Sequence, residues 1–131
     1  MAGTLSTALN NKLLDHIFKT TPFPVPTNIY VALYSVAPTA AGGGTELSGD
    51  GYARKVMDSW DAAAAGATEN TDAIEFAAAS GGDWAEAVAW GIFDALTGGN
   101  FLGWGDLTTA KTVEDGDSAT SAAGEIDVTI T

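Results

Sequence analysis

From Leu5 to Phe18 the apolar positions Leu5, Ala8, Leu9, Leu13, Ile17 and Phe18 recur at three- and four-residue spacing, with Asn10, Asn11, Lys12 and Asp15 on other bearings. That period predicts an amphipathic helix over 5–18, with Thr4 or Ser6 as its cap. Pro22, Pro24 and Pro26 then flank Phe23 and Val25. Proline has no amide donor and biases the residue before it away from helix, so 22–26 reads as an extended connector. Beyond it the period falls to two. In Asn28 to Ser35, Ile29, Val31 and Leu33 take one face and Tyr30, Ala32 and Tyr34 the other. Two apolar faces predict a central strand.

Ala37 to Gly51 carries Pro38, Gly42-Gly43-Gly44 and Ser48-Gly49-Asp50-Gly51, and reads as a long surface loop of the kind that more often has a role than not. Tyr52 to Trp60 alternates poorly and is expected to be a weak strand; Ala62 to Ala67 reads as loop or irregular strand. Ala73 to Ala77 places Ile74 and Phe76 inward. Trp84 to Ala95 is the clearest strand, with Val88, Trp90 and Ile92 opposite Ala87, Ala89, Gly91 and Phe93. Its small residues predict a close neighbour, the N-terminal helix being the candidate. Thr97-Gly98-Gly99-Asn100 is a hairpin turn. Phe101 to Leu107 and Lys111 to Val113 are strands, Asp115-Gly116-Asp117 a turn, and Glu125 to Thr131 a last strand with Ile126, Val128 and Ile130 inward. About seven or eight short strands separated by turn signals predict a mainly β fold, an antiparallel β-sandwich or jelly-roll-like barrel, with one N-terminal amphipathic helix on its side. The 131 residues are expected to form a single domain, its β part spanning 28–131.

Composition narrows the possible partners. Hydrophobic residues make up 46% of the chain, glycine occurs 16 times, and 5 Lys and Arg stand against 17 Asp and Glu for a net charge of −12. Lys12, Lys19, Arg54, Lys55 and Lys111 are too few and scattered to track a phosphodiester backbone, so nucleic acid is not an expected partner. A partner surface should be basic or apolar; adaptation to a saline habitat would produce the same acidity. With no cysteine there is no disulfide or thiolate site. No basic region leads into an apolar run, and no stretch reaches the ~18 apolar residues of a membrane span. A soluble chain made in the cytoplasm, with no membrane partner, is expected.

Candidate chemistry is sparse. His16 is the single histidine and sits beside the helix stripe as a boundary residue, so neither a Ser-His-Asp nor a Cys-His set can be assembled. Asp58 with Asp61, or Asp115 with Asp117, resembles a glycosidase dyad in spacing, but such neighbours arise by composition in an acidic chain, and Asp-Gly-Asp is turn chemistry. Glu114, Asp115 and Asp117, or Ser48 to Asp50, offer oxygens to calcium without the ligand spacing of an EF-hand. Trp90 and Trp104 fall within strands and read as core; Trp60 and Trp84 border loops and are candidates for sugar stacking. No catalytic, cofactor-binding or metal residue is assigned, and no cofactor is expected.

Gly91-Ile92-Phe93-Asp94, Thr97-Gly98-Gly99-Asn100, Phe101-Leu102-Gly103-Trp104-Gly105 and Glu125-Ile126-Asp127-Val128-Thr129-Ile130 follow one another in an order that resembles a family. The upstream segments Asn28 to Tyr34, Ala37-Pro38-Thr39, Gly42 to Glu46 and Gly51-Tyr52-Ala53-Arg54 extend the likeness. The family is that of small tailed-bacteriophage virion proteins labelled tail fibre-like, some of which act as head decoration or cement proteins. Asp61 to Asp72, Ala-rich and acidic, and Ser118 to Ala123, without a large apolar residue, depart from its pattern.

The resemblance implies a non-enzymatic structural protein on the outer head surface of the virion, bridging and stabilising the lattice. Its partners would be the major capsid protein and copies of itself in a homotrimer. The contacts it suggests are the helix stripe Leu5, Leu9, Leu13 and Ile17, the connector at Phe23, and Thr45, Glu46 and Leu47 of the long loop. The alternatives are a tail or fibre component, or a host-surface adhesin that binds glycans through exposed Trp and Tyr.

Overall fold

The computed structural model describes residues 1–130. In chain order the elements are β1 (Ala2–Leu5), α1 (Thr7–Phe18), β2 (Tyr30–Val36), β3 (Thr45–Glu46), β4 (Lys55–Val56), β5 (Ala67–Glu69), β6 (Ile74–Glu75), β7 (Ala87–Phe93), β8 (Phe101–Lys111), β9 (Thr120–Ser121) and β10 (Asp127–Thr129). The fold is mainly β with one helix, as the periodicity predicts, and is consistent with a β-sandwich. The large sheet runs β3-β2-β7-β8-β1-β10-β5, with β4 also on β2, and β6 and β9 form a separate two-stranded ribbon. Among these pairs β1 with β10 is parallel and the others antiparallel.

One row of register partners crosses the sheet: Leu33, Trp90, Gly105, Gly3, Val128 and Thr68. Trp90 is 0% exposed, and its indole lies along this row over the two glycines. A Cβ on Gly105 would come within 2.5 Å of the ring, so a large residue here demands two with no side chain beside it. Around Trp90 the main core gathers Leu9 of α1, Val31, Leu33, Ile92, Leu102 and Ile126, with Ile74 and Phe76 from the ribbon side. The other sheet face carries a smaller cluster of Ala32, Tyr34, Ala89 and Phe93, against which Phe101 and Val88 pack.

Several elements differ from the sequence expectation, each for a local reason. Leu5 belongs to β1, and the helix starts at Thr7, because Ser6 is the cap: its Oγ accepts from the Leu9 N–H at 3.1 Å and donates to the Phe101 carbonyl at 2.7 Å. In β7 the alternation holds for Trp90 and Ile92, but a bulge between Ala87 and Ala89 turns Ala87 into the main core and Val88 toward the smaller cluster. The close neighbour of Gly91 is the Tyr34 ring, 2.7 Å from where a Cβ would stand, while α1 reaches the opposite, Trp90 side through Leu9.

Ala37 to Gly51 is not wholly surface loop, since β3 pairs with β2 inside it and Pro38 and Leu47 are buried. The strand expected over Tyr52 to Trp60 is reduced to β4, and β8 continues through Lys111 instead of a new strand starting there. At the C-terminal end Ile126 is buried but Ile130 is 61% exposed, β10 having ended at Thr129; the expected extension to Thr131 lies outside the described residues.

Candidate interaction surface

Helix α1 divides into halves of opposite character. Its N-terminal half is bound to the body by the Ser6 cap, by the Ser6 N–H donating to the Leu102 carbonyl (2.8 Å) and by buried Leu9. Its C-terminal half projects: every residue from Leu14 to Pro22 is exposed. The helix ends where Thr20 takes a left-handed φ of 55°. The Lys19 and Thr21 amides both donate to the Asp15 carbonyl, and the Phe23 N–H donates to His16 Nδ1 at 3.0 Å. The single histidine therefore fastens the connector to the helix end.

Leu14, Ile17 and Phe18 share one helix face by their spacing, and they are 54%, 66% and 78% exposed. Val25 of the connector is 90% exposed and Leu96 of the β7–β8 turn 50%. Val25 and Leu96 line a groove of about 640 Å³ together with Lys12, Asp15, Tyr30 and Asp94. A second, smaller cleft of about 210 Å³ opens onto the main core between Leu5 and Leu9 on one side and Trp60, Thr68 and Val128 on the other. Apart from the Thr68 hydroxyl its lining side chains are apolar.

The β7–β8 turn is held by Arg54. The guanidinium forks onto Glu46 (Nη2 to Oε1 2.8 Å, Nε to Oε2 2.9 Å), donates through Nη1 to the carbonyls of Ala95 (2.9 Å) and Gly98 (2.8 Å), and stands 3.5 Å from the centre of the Phe93 ring. Tyr52 donates to Glu46 at 2.9 Å and accepts from the Leu33 N–H at 3.0 Å. Burial, reinforced by Glu46, pushes the Tyr34 phenol up to about 12; burial also drives Tyr52 well above the usual tyrosine range. In the turn itself the Asn100 side chain and amide outweigh the partial burial of Asp94 and hold its carboxyl low.

The residues proposed as contacts are dispersed by the fold. Leu9 and Leu47 are buried, Leu13 and Phe23 are half-buried against the main core, and Leu5 lines the small cleft. Glu46 is engaged by Arg54 and Tyr52, whereas Ile17 and Thr45 face outward. Sequence reading passed over Leu14 and Leu96, while Val25 lies in the connector it singled out; the pair Leu14 and Phe18 at i, i+4 was the available signal.

Other candidate chemistry is engaged in structure. Asp115 accepts from the Gly81 N–H and Asp83 from the Asp115 N–H, closing loops. Among the described residues no group of three or more His, Cys, Asp or Glu side chains suits a metal ion. Trp84 is buried with Tyr52 and Phe76, a correction to its expected loop exposure that follows from its indole N–H donating to the Asp50 carbonyl. Trp60 donates to the Met57 carbonyl and is half-buried; Trp104 is half-buried in a strand. No helix among the described residues is long and apolar enough to cross a membrane.

A family model described as podophage GP4 fiber I protein gp80 matches residues 4–129. No curated protein matches the chain.

Proposed function

The chain belongs to that phage fibre family, and from this premise we propose that it is a non-enzymatic fibre component on the tail of a phage particle, joined to neighbouring virion proteins through the projecting half of α1 and the adjoining connector. A structural role in the virion is the family's own. The tail position follows the family's fibre description, and the contact face follows one observation: Leu14, Ile17, Phe18 and Val25 stand out from a body that carries a net charge of −12. Exposed apolar residues grouped on one helix face, as Leu14, Ile17 and Phe18 are, mark sites of association more often than chance on a soluble surface, and Val25 adds exposed apolar area on the adjoining connector. Two of the five Lys and Arg residues, Lys12 and Lys19, lie on or at the end of this helix, so it is also where an acidic molecule repels a neighbour least.

The mechanism is mechanical. A β body with a buried aromatic core acts as a rigid spacer, and burying the apolar face against a neighbour adds contacts that must break before the fibre comes apart. Head decoration rests on the earlier resemblance alone and would use the same face to bridge capsid subunits.

Labelling intact particles with an antibody raised against the purified chain separates the two positions. Label at the tail is the expected result. Label distributed over the head shell would overturn the tail assignment and make lattice bridging the function.

A further inference from the structure

The large sheet has an outer side as well as the side that meets the main core. Alternation along the strands turns Val128 and Thr68 toward the core and their neighbours Asp127 and Glu69, a register pair, to the outside. In β1 the partner of Asp127 is Ala2, and the antiparallel pairing of Gly3 with Gly105 sets Ala2 beside Asp106 of β8. One outer row therefore reads Asp106, Ala2, Asp127 and Glu69. The row next to it reads Trp104, Thr4, Thr129 and Ala67. Over β2 and β7 the outer side is filled by the cluster of Tyr34 and Phe93, with Arg54 against the Phe93 ring. Over β8, β1, β10 and β5 it lies open: Asp106 and Ala2 are exposed, Trp104, Asp127 and Glu69 half-buried, and Trp104, Asp106 and Thr129 line a shallow cleft of about 360 Å³. We propose that this open half-face seats an arginine-bearing segment of another protein, with the guanidinium laid on the Trp104 ring and paired with the carboxylates of the acid row.

Charge selects the occupant. Against Asp106, Asp127 and Glu69 the chain itself brings the amino group of Met1, 3.4 Å from Asp127. Its side-chain cations stand elsewhere: Arg54 on Glu46, Lys111 on the Thr120 carbonyl, Lys55 in β4 beside β2, and Lys12 and Lys19 with α1, which docks on the core side through Leu9. A second copy has only Arg54 to offer as arginine, and Glu46 holds it. Nucleic acid is repelled, so a basic segment of a different protein fits. Arginine is favoured over lysine because a planar guanidinium stacks on an indole and forks onto carboxylates at once, whereas an ammonium is a point charge. The free face also bears a cost that a cation relieves. Asp127 and Glu69 are like charges directly opposite each other on neighbouring strands, and the hydrogen bond to Asp127, with the charges of Asp127 and Asp61 adding to it, raises the Glu69 carboxyl. A local conflict of this kind, without a gain inside the chain, is what a binding surface leaves in an unbound fold. The half-face lies across the sheet from α1, so neither contact depends on the other.

Hexa-arginine serves as the probe, titrated into the purified chain at about 0.15 M salt while the indole N–H resonances are followed by NMR, with Trp104 assigned from Trp104→Phe. The Trp104 signal should shift and saturate, and hexalysine should bind more weakly. Asp106→Asn, at an exposed position, should weaken binding about tenfold. Asp117→Asn, an equal change of charge at an exposed turn away from the face, should leave it as it was. Glu69→Gln should weaken the peptide and yet raise the melting temperature, because it removes a like charge from the free chain; a purely structural residue would not move the two in opposite directions. Equal losses from Asp106→Asn and Asp117→Asn, undiminished affinity in Glu69→Gln, saturation without a Trp104 shift, or no binding of hexa-arginine would each overturn the arginine seat. A neutral oligosaccharide that shifts Trp104 where hexa-arginine does not would make the face a sugar platform instead.

Discussion

Asn70 is 1% exposed and surrounded by backbone groups that depend on it. Its Nδ2 donates to the carbonyls of Asp72 (2.7 Å) and Ala122 (3.1 Å), and its Oδ1 accepts from the Ile126 N–H at 2.9 Å. Removing the amide strands these groups in a buried place, so Asn70→Ala should lower unfolding stability by about 2–4 kcal/mol. Urea unfolding checks this, and a loss under about 0.5 kcal/mol would show that water satisfies the site instead. Nothing in the sequence marks Asn70, which stands in Glu69-Asn70-Thr71 like any loop residue; its partners lie up to 56 positions away. Trp90 and Ile92, in contrast, are legible as core because a strand fixes their direction within a few neighbours. Trp84, whose burial depends on the distant Asp50 carbonyl, Tyr52 and Phe76, is not.

Elements announce themselves in proportion to length. β2, β7 and the hairpin into β8 are long enough for alternation to appear, and the helix period survives even though only Leu9 of α1 is buried. β1, β3 and β10 have four, two and three residues, too few for a pattern, and exist because β8, β2 and β1 offer them edges. The bulge in β7 is a property of the pair with β8, and no single strand shows it. The proposed contact face is half legible: the helix period shows in the sequence, but which side of it the body leaves uncovered depends on how Ser6 docks α1 onto β8.

The network that joins β3 to β2 and the β7–β8 turn gives a test at this scale. Tyr34 and Tyr52 hold their protons more tightly folded than unfolded, Tyr34 up to about 12 against an ordinary value near 10. A raised folded value means the contribution is complete below the unfolded value and is lost as pH rises through the folded one. Stability should therefore fall steeply between about pH 10 and pH 12. Tyr34→Phe, which keeps the ring and removes the ionisable group, should flatten that fall in denaturant titrations run at stepped pH. An equal fall in the variant would place the alkaline sensitivity elsewhere.

At the scale of the whole molecule the governing fact is unpaired acidity. Among the described residues Arg54 with Glu46 is the side-chain ion pair, and Asp127 meets the amino group of Met1 at 3.4 Å. The other acids of a chain with 17 Asp and Glu and 5 Lys and Arg act mostly on one another, and a compact shape brings them closer than an unfolded one does. Salt shortens the reach of that repulsion from about 30 Å at 0.01 M to about 8 Å at 0.15 M. The folded chain should therefore gain stability with salt, its melting temperature rising on the order of 5 °C across that range. The Arg54 pair resists this screening because its guanidinium side chain is 8% exposed and its bonds are short and forked. Calorimetry over a salt series checks this; a melting temperature flat or falling with salt would mean that the acids are already neutralised within the fold.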